Sequence, residues 1–177
     1  MGTEGVLAME DALLKRLASA DPDTAEEALG QLYERHAQAV HVFAARALQD
    51  LSLAARVVEE VFLDLYRRCE DVDLRRESVR AYLVKQAHRR CTEMQVGVRG
   101  RDRTWSRPFT SVGERGVDVV DATTPASALS QDERVVLDLA WLGEMSCAEV
   151  AAFLHLPERT IRLRMREGLR RVAIVRK

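Results

Sequence analysis

The sequence predicts an all-α fold, built as two small helical domains joined by a flexible linker. Three observations predict it. The 177 residues are dominated by Ala, Leu, Val, Arg and Glu, with only 5% aromatics, a mix that favours helix over strand. Apolar residues recur at helical spacing in three stretches before residue 97 and three after residue 126. Between them, Gly97 to Ala126 holds four of the nine glycines and two of the four prolines. That segment carries no apolar stripe, and a loop of about 30 residues is uncommon inside one compact domain. The expected organisation is an N-terminal extension (1–23), a helical domain (24–96), a linker (97–126) and a second helical domain (127–177).

Each element has a local cause. A weak helix is expected over about Glu10–Ala18, stopped by Asp21-Pro22-Asp23. Thr24 or Asp23 offers an N-cap, with Glu26 and Glu27 in the following turn. From Ala25 to about Gln49 the stripe is Leu29, Leu32, Tyr33, His36, Val40, Phe43, Ala44 and Ala47. A second helix runs from about Leu53 to Cys69 on Val57, Val58, Val61, Phe62, Leu65 and Tyr66, with Phe62 and Tyr66 expected in the core. A third runs from about Val79 to Gln95. Beyond the linker, Ser127 or Ser130 caps a helix to about Gly143, and Ser130-x-x-Glu133 has capping-box spacing. Trp141 is expected in the core of that domain.

The last elements carry the sharpest signal. Ser146-x-x-Glu149 is a second capping box and opens a short helix to Leu154. A three-residue turn, His155-Leu156-Pro157, leads into a longer helix from Glu158. Ala148, Val150, Ala151, Leu154, Leu156, Ile161 and Met165 are placed to face inward. This is the pattern of a helix-turn-helix. From Arg159 onward there are eight basic residues against Glu167 alone. Arg159, Thr160, Arg162, Leu163 and Arg166 lie where such a helix meets base edges in the major groove. Arg170, Arg171, Arg176 and Lys177 lie further along, where bases hold phosphate. A basic helix end complementing its own dipole is the plainer reading. The concordance of caps, turn and charge favours DNA.

Charge is distributed unevenly. Residues 1–60 carry 11 acids and 5 bases, while residues 61–120 carry 9 acids and 13 bases. A chain acidic at one end and basic at the other suits two kinds of partner. The three cysteines, Cys69, Cys91 and Cys147, are far apart, and no Cys/His cluster has metal spacing. No metal, cofactor, catalytic motif, signal peptide or membrane insertion is expected, and the expected location is the cytoplasm. In the helix from Val79, Arg89 and Arg90 interleave with Tyr82, Lys85 and Gln86. Aromatics among bases suit single-stranded DNA, where a ring stacks on a base and cations hold the backbone. Trp105 sits among arginines in the linker, with no role assigned.

These residues resemble a known family. The run Leu129–Leu139, then Met145–Ala151, then Thr160–Arg164 and Leu169–Val172, resembles the fourth region of bacterial sigma factors of the extracytoplasmic-function class. Leu32–His36 resembles the start of region two, Val57–Arg67 its polymerase-binding helix, and Ala81–Arg90 the helix that opens the −10 element. The resemblance implies a region-two bundle and a region-four helix-turn-helix with no enzyme activity and no cofactor. It implies core RNA polymerase as partner, through the β′ clamp helices and the β flap, with promoter DNA and an anti-sigma factor as further partners. On this likeness Arg56, Glu59, Glu60, Leu63, Asp64 and Arg67 meet polymerase. Tyr82, Lys85, Gln86, Arg89 and Arg90 meet the −10 element, and Arg159, Thr160, Arg162, Leu163 and Arg166 the −35 element. Region two diverges: Arg56 and Glu59 stand where the family usually has Asp and Gln. That divergence favours an alternative, a stand-alone helix-turn-helix regulator that has lost polymerase binding. A protein-interaction module with vestigial DNA contact is a third reading.

Overall fold

The computed structural model describes residues 3–99 and 129–175. Among the described residues it is all-helical, with α1 (Thr3–Leu17), α2 (Pro22–Leu48), α3 (Leu51–Arg67), a 3-10 turn (Cys69–Asp71), α4 (Val79–Arg99), α5 (Gln131–Leu142), α6 (Cys147–Leu154) and α7 (Glu158–Val175). Most of the predicted linker, with Trp105, lies outside the described residues, as do Arg176 and Lys177.

The first two helix junctions differ from expectation. The helix expected from Glu10 begins at Thr3. The stop at Asp21-Pro22 is also a start: Asp21, not Thr24 or Asp23, caps α2, its carboxylate accepting from the Thr24 N–H at 3.3 Å. Pro22 occupies the first helical turn, where a missing N–H leaves nothing unpaired. The Thr24 hydroxyl bond holds the Asp21 carboxyl below its ordinary range. Gln49 ends α2 in the left-handed conformation (φ 57°), and Asp50 at once caps α3, accepting from Leu53 N–H at 2.9 Å. Two residues therefore suffice to turn the chain back.

The turn brings α3 against α2, and α4 packs on both. Leu32, Val40 and Phe43 of α2, Val57, Val61, Phe62 and Leu65 of α3, and Val79, Leu83, Val84 and Ala87 of α4 form a buried core. Fully burying each of these Leu, Val and Phe side chains contributes about 1.5–3 kcal/mol. The α1 helix closes one side with Leu13, Leu14 and Leu17. A buried polar pair sits under it, His36 Nε2 to Glu10 Oε1 at 3.2 Å.

The second group, α5–α7, buries Val136, Leu139, Leu142, Val150, Ala151 and Ile161. Both expected capping boxes form, at Ser130 with Glu133 and at Ser146 with Glu149. Gly168 lets α7 cross close to α5: a Cβ there would meet Leu137 Cδ1 at 2.8 Å. The α5 helix also lies against α2 and α4, so the core runs continuously through both groups. Arg46 reaches Asp138 at 3.2 Å, and Arg80 donates to the Leu142 carbonyl at 2.7 Å and pairs with Glu144 at 2.7 Å.

Four inward assignments do not hold, beginning with Tyr33 of the α2 stripe, which is 48% exposed. Trp141 is 82% exposed and Tyr66 44% exposed. Ala148 is exposed as well. The buried stripe of α5 runs through Val136, Leu139 and Leu142, which turns Trp141 to the outside. On α3 the stripe ends with Leu65, and Tyr66 lies one 100° step past it.

Candidate nucleic-acid interface

The helix-turn-helix is fixed by its caps. Ser146 N–H donates to Glu149 Oε2 at 2.8 Å, and the Glu149 N–H donates to Ser146 Oγ at 3.3 Å. The Ser146 hydroxyl on its carboxylate holds Glu149 below the ordinary range. His155 ends α6 with φ 53°, a left-handed position His accepts at some cost. The Leu156 N–H then donates to the Ala151 carbonyl at 3.0 Å, and the Pro157 carbonyl accepts from Thr160 N–H at 2.8 Å. This chain of bonds sets the angle at which α7 leaves the turn.

Ile161 and Val150 are fully buried between α6 and α7. The opposite face of α7 therefore points outward, and Arg159, Thr160, Arg162, Leu163 and Arg166 line one shallow surface depression. All five sequence-assigned recognition residues thus share a single surface. Arg162 is held by Glu158 one turn earlier, at 2.6 Å. Among the described residues, Arg159 and Arg166 have no ion-pair partner, and both are exposed. Arg171, expected to hold phosphate, instead pairs with the buried Glu133 at 2.8 Å, and Arg164 pairs with Asp132 at 2.7 Å. Those two arginines tie α7 to α5.

On α4 the assigned residues separate. Tyr82 is 8% exposed, its hydroxyl raised above its ordinary pKa by burial, and it offers no free ring face. Arg90 turns toward α3, bonded to Asp64, with Glu60 at 3.9 Å and Glu93 at 3.4 Å. Its pKa is raised, chiefly by the Asp64 hydrogen bond. Lys85, Gln86 and Arg89 remain near the surface. Lys85 pairs with Glu77 at 2.7 Å. Lys85 Nζ and Arg89 Cζ lie 5.6 and 5.9 Å from the Phe153 ring centre, a cation–π arrangement from both.

On α3, Arg56, Glu59, Leu63 and Arg67 are exposed, while Glu60 and Asp64 are half-buried. Arg56 approaches Glu60 at 3.9 Å. Tyr33 and Tyr66, missed as surface residues, are exposed, and the Tyr33 ring lies 4.9 Å from that of the buried Phe62. Periodicity gave no signal for them, because an aromatic at the rim of a stripe reads as core. No cluster of metal-ligating side chains occurs among the described residues, and no described helix is long and apolar enough to cross a membrane.

Comparison with known proteins gives a consistent picture. The family model for sigma-70 region 2 matches residues 32–104, and that for sigma-70 region 4 matches residues 127–173. The ECF RNA polymerase sigma factor SigK of Mycobacterium ulcerans (strain Agy99) is 29% identical over 175 residues, covering 90% of this chain and 89% of that protein. SigK of Mycobacterium bovis (strain BCG / Pasteur 1173P2) is 27% identical over 171 residues, covering 90% and 89%. In fold, the chain is similar to CnrH, solved in complex with the cytosolic domain of CnrY. The TM-score is 0.62 at 20% identity, over 94% of this chain and 96% of that one.

Proposed function

The chain belongs to the sigma-70 family, in its extracytoplasmic-function class, and we propose that it binds core RNA polymerase and directs it to promoter −10 and −35 elements. It is a sigma-type transcription initiation factor. In the finer reading, residues 24–96 act as region two, 127–177 as region four, and 97–126 as the linker between them. The observation that carries this reading is the α7 face, with Arg159 and Arg166 exposed beside Thr160, Arg162 and Leu163 on a helix aimed by two caps and a turn. Arginines on the exposed face of such a helix suit guanine edges, and Leu163 and Thr160 suit thymine methyl groups.

The α3 face carries polymerase in this reading, through Arg56, Glu59, Glu60, Leu63, Asp64 and Arg67. On α4, Lys85, Gln86 and Arg89 hold the opened −10 strand. Tyr82 acts from beneath this surface, and Arg90 braces α3. Control by a protein partner is part of the proposal, supported by the similar fold solved with a second protein's cytosolic domain bound. The factor does no chemistry of its own and works in the cytoplasm.

A second reading has one observation in its favour. Arg56 places a cation in the acidic α3 face, against Glu60, which suits a regulator that no longer holds polymerase. Run-off transcription with core polymerase on a library of promoter fragments tests both. Initiation from defined start sites is expected. Absence of a core complex at physiological salt, with duplex DNA binding intact, establishes the second reading instead.

A further inference from the structure

Glu158 is the acid of the first turn of α7, and it is bonded to a residue of the recognition face. Its Oε1 accepts from Arg162 Nε at 3.1 Å and from Arg162 Nη2 at 2.6 Å. The two residues stand four apart, so the helix alone brings them together. The Arg162 side chain is 69% exposed and that of Glu158 41% exposed, and a pair so open to water adds little stability. Its place on the molecule is more informative. Arg162 lines the same depression as Arg159 and Arg166. Of these three arginines, only Arg162 has an ion-pair partner among the described residues.

A guanidinium carries its N–H donors in one fixed plane. Glu158 takes the Nε/Nη2 edge of that plane. The Nη1/Nη2 edge stays open, with two parallel N–H bonds. We propose that Glu158 is a positioning residue for sequence reading, holding Arg162 so that this open edge meets the O6 and N7 of one guanine in the major groove. The inference rests on the reading of α7 as a duplex-reading helix and names the device that makes one of its arginines selective. Guanine offers two acceptors side by side, whereas adenine offers an acceptor and a donor. Two parallel donors therefore fit guanine and leave a donor facing a donor on adenine. An unheld arginine swings among rotamers and serves phosphate as well as a base edge. Glu158 removes that freedom before DNA arrives, and its charge offsets the pull of Arg162 toward phosphate. Arg162 then serves discrimination, while Arg159 and Arg166 keep their full charge for attachment.

The test uses the full chain, alone and bound to core RNA polymerase, on a pool of short DNA duplexes with randomised central positions. The bound fraction is sequenced. Affinities for the selected duplex and for a fixed duplex of mixed sequence are then measured by anisotropy over a range of salt. Glu158→Gln keeps the side-chain length and removes the charge. It is expected to lose about three- to tenfold of the preference for guanine at one position. The same variant is expected to bind the mixed-sequence duplex more tightly, with the slope of log affinity against log salt steeper by about one. A looser preference together with a tighter mixed-sequence complex is a signature that helix stabilisation alone does not give. In Arg162→Ala the guanine preference is lost, and adding Glu158→Gln is expected to change that preference no further. Equal weakening of both duplexes by Glu158→Gln, or an effect on the preference that persists without Arg162, overturns the positioning role. A motif that Glu158→Gln selects as strongly as the wild type overturns that role alone. A wild-type chain that enriches no motif, free or with polymerase, overturns the duplex-reading role of α7 itself.

Discussion

At the scale of single residues, function depends on which charges are spent inside the fold. Arg171 and Arg164 are paired to α5, whereas Arg159 and Arg166 face solvent. Arg159→Ala or Arg166→Ala is therefore expected to weaken binding to promoter DNA by about 1–3 kcal/mol without changing stability. Arg171→Ala is expected to do the reverse, because it leaves the buried Glu133 carboxylate unpaired. Affinity by fluorescence anisotropy and the urea midpoint separate the two classes. Asp138 gives a pH signature. Burial pushes its carboxyl up from 3.8 to about 6, against the pull of Arg46 and Arg134. A folded-state pKa raised in this way adds stability below about 4 that is lost as pH rises through about 6. His88 has the opposite sign: burial, helped by Arg89, lowers its pKa, so protonation disfavours the packed state as pH falls. Asp138→Asn should therefore shift the difference in Tm between pH 5.5 and pH 7.5 toward greater stability at pH 7.5. An unchanged difference would show that Asp138 is not desolvated in solution.

At the scale of elements, caps and turns set the geometry of the site. Ser146→Ala removes one half of the box that starts α6, and a loss of about 1 kcal/mol is expected. The readout is the urea midpoint, with a parallel loss of DNA affinity if α7 is no longer aimed. Gly143 is tighter still. A Cβ there would lie 2.5 Å from the Leu139 carbonyl oxygen and 3.2 Å from Met145 Cγ. Gly143→Ala is expected to cost about 1–3 kcal/mol, and an unchanged Tm would refute the close approach. These elements were well read from the sequence. Serine and glutamate three apart, a left-handed residue before Pro157, and apolar spacing of 3.6 are local causes with local effects. The misread cases, Tyr33, Tyr66, Trp141 and Ala148, sit at the rim of a stripe. There, exposure depends on the neighbouring helix and not on the residue's own helix.

At the scale of the whole molecule, two helical groups share one core through α5. Of the polar links across it, Arg46 reaches the buried Asp138, whereas Arg80 pairs with the exposed Glu144 at the surface. Surface electrostatics of this kind weaken with ionic strength. Raising salt from about 0.05 to 0.5 M is expected to open the molecule and increase the radius of gyration by X-ray scattering. A radius independent of salt would mean that the apolar contacts alone hold the halves together.

The sequence by itself determined the helices, their caps, the order of the two groups and the basic face of α7, because each follows from propensity, periodicity and neighbours within a few residues. Only the tertiary structure decided the fate of α4. Tyr82 is buried, Arg90 is drawn to Asp64, and Phe153 settles over Lys85 and Arg89. Those outcomes depend on contacts between residues 26 to 68 positions apart, and no local pattern encodes which cation will find which partner.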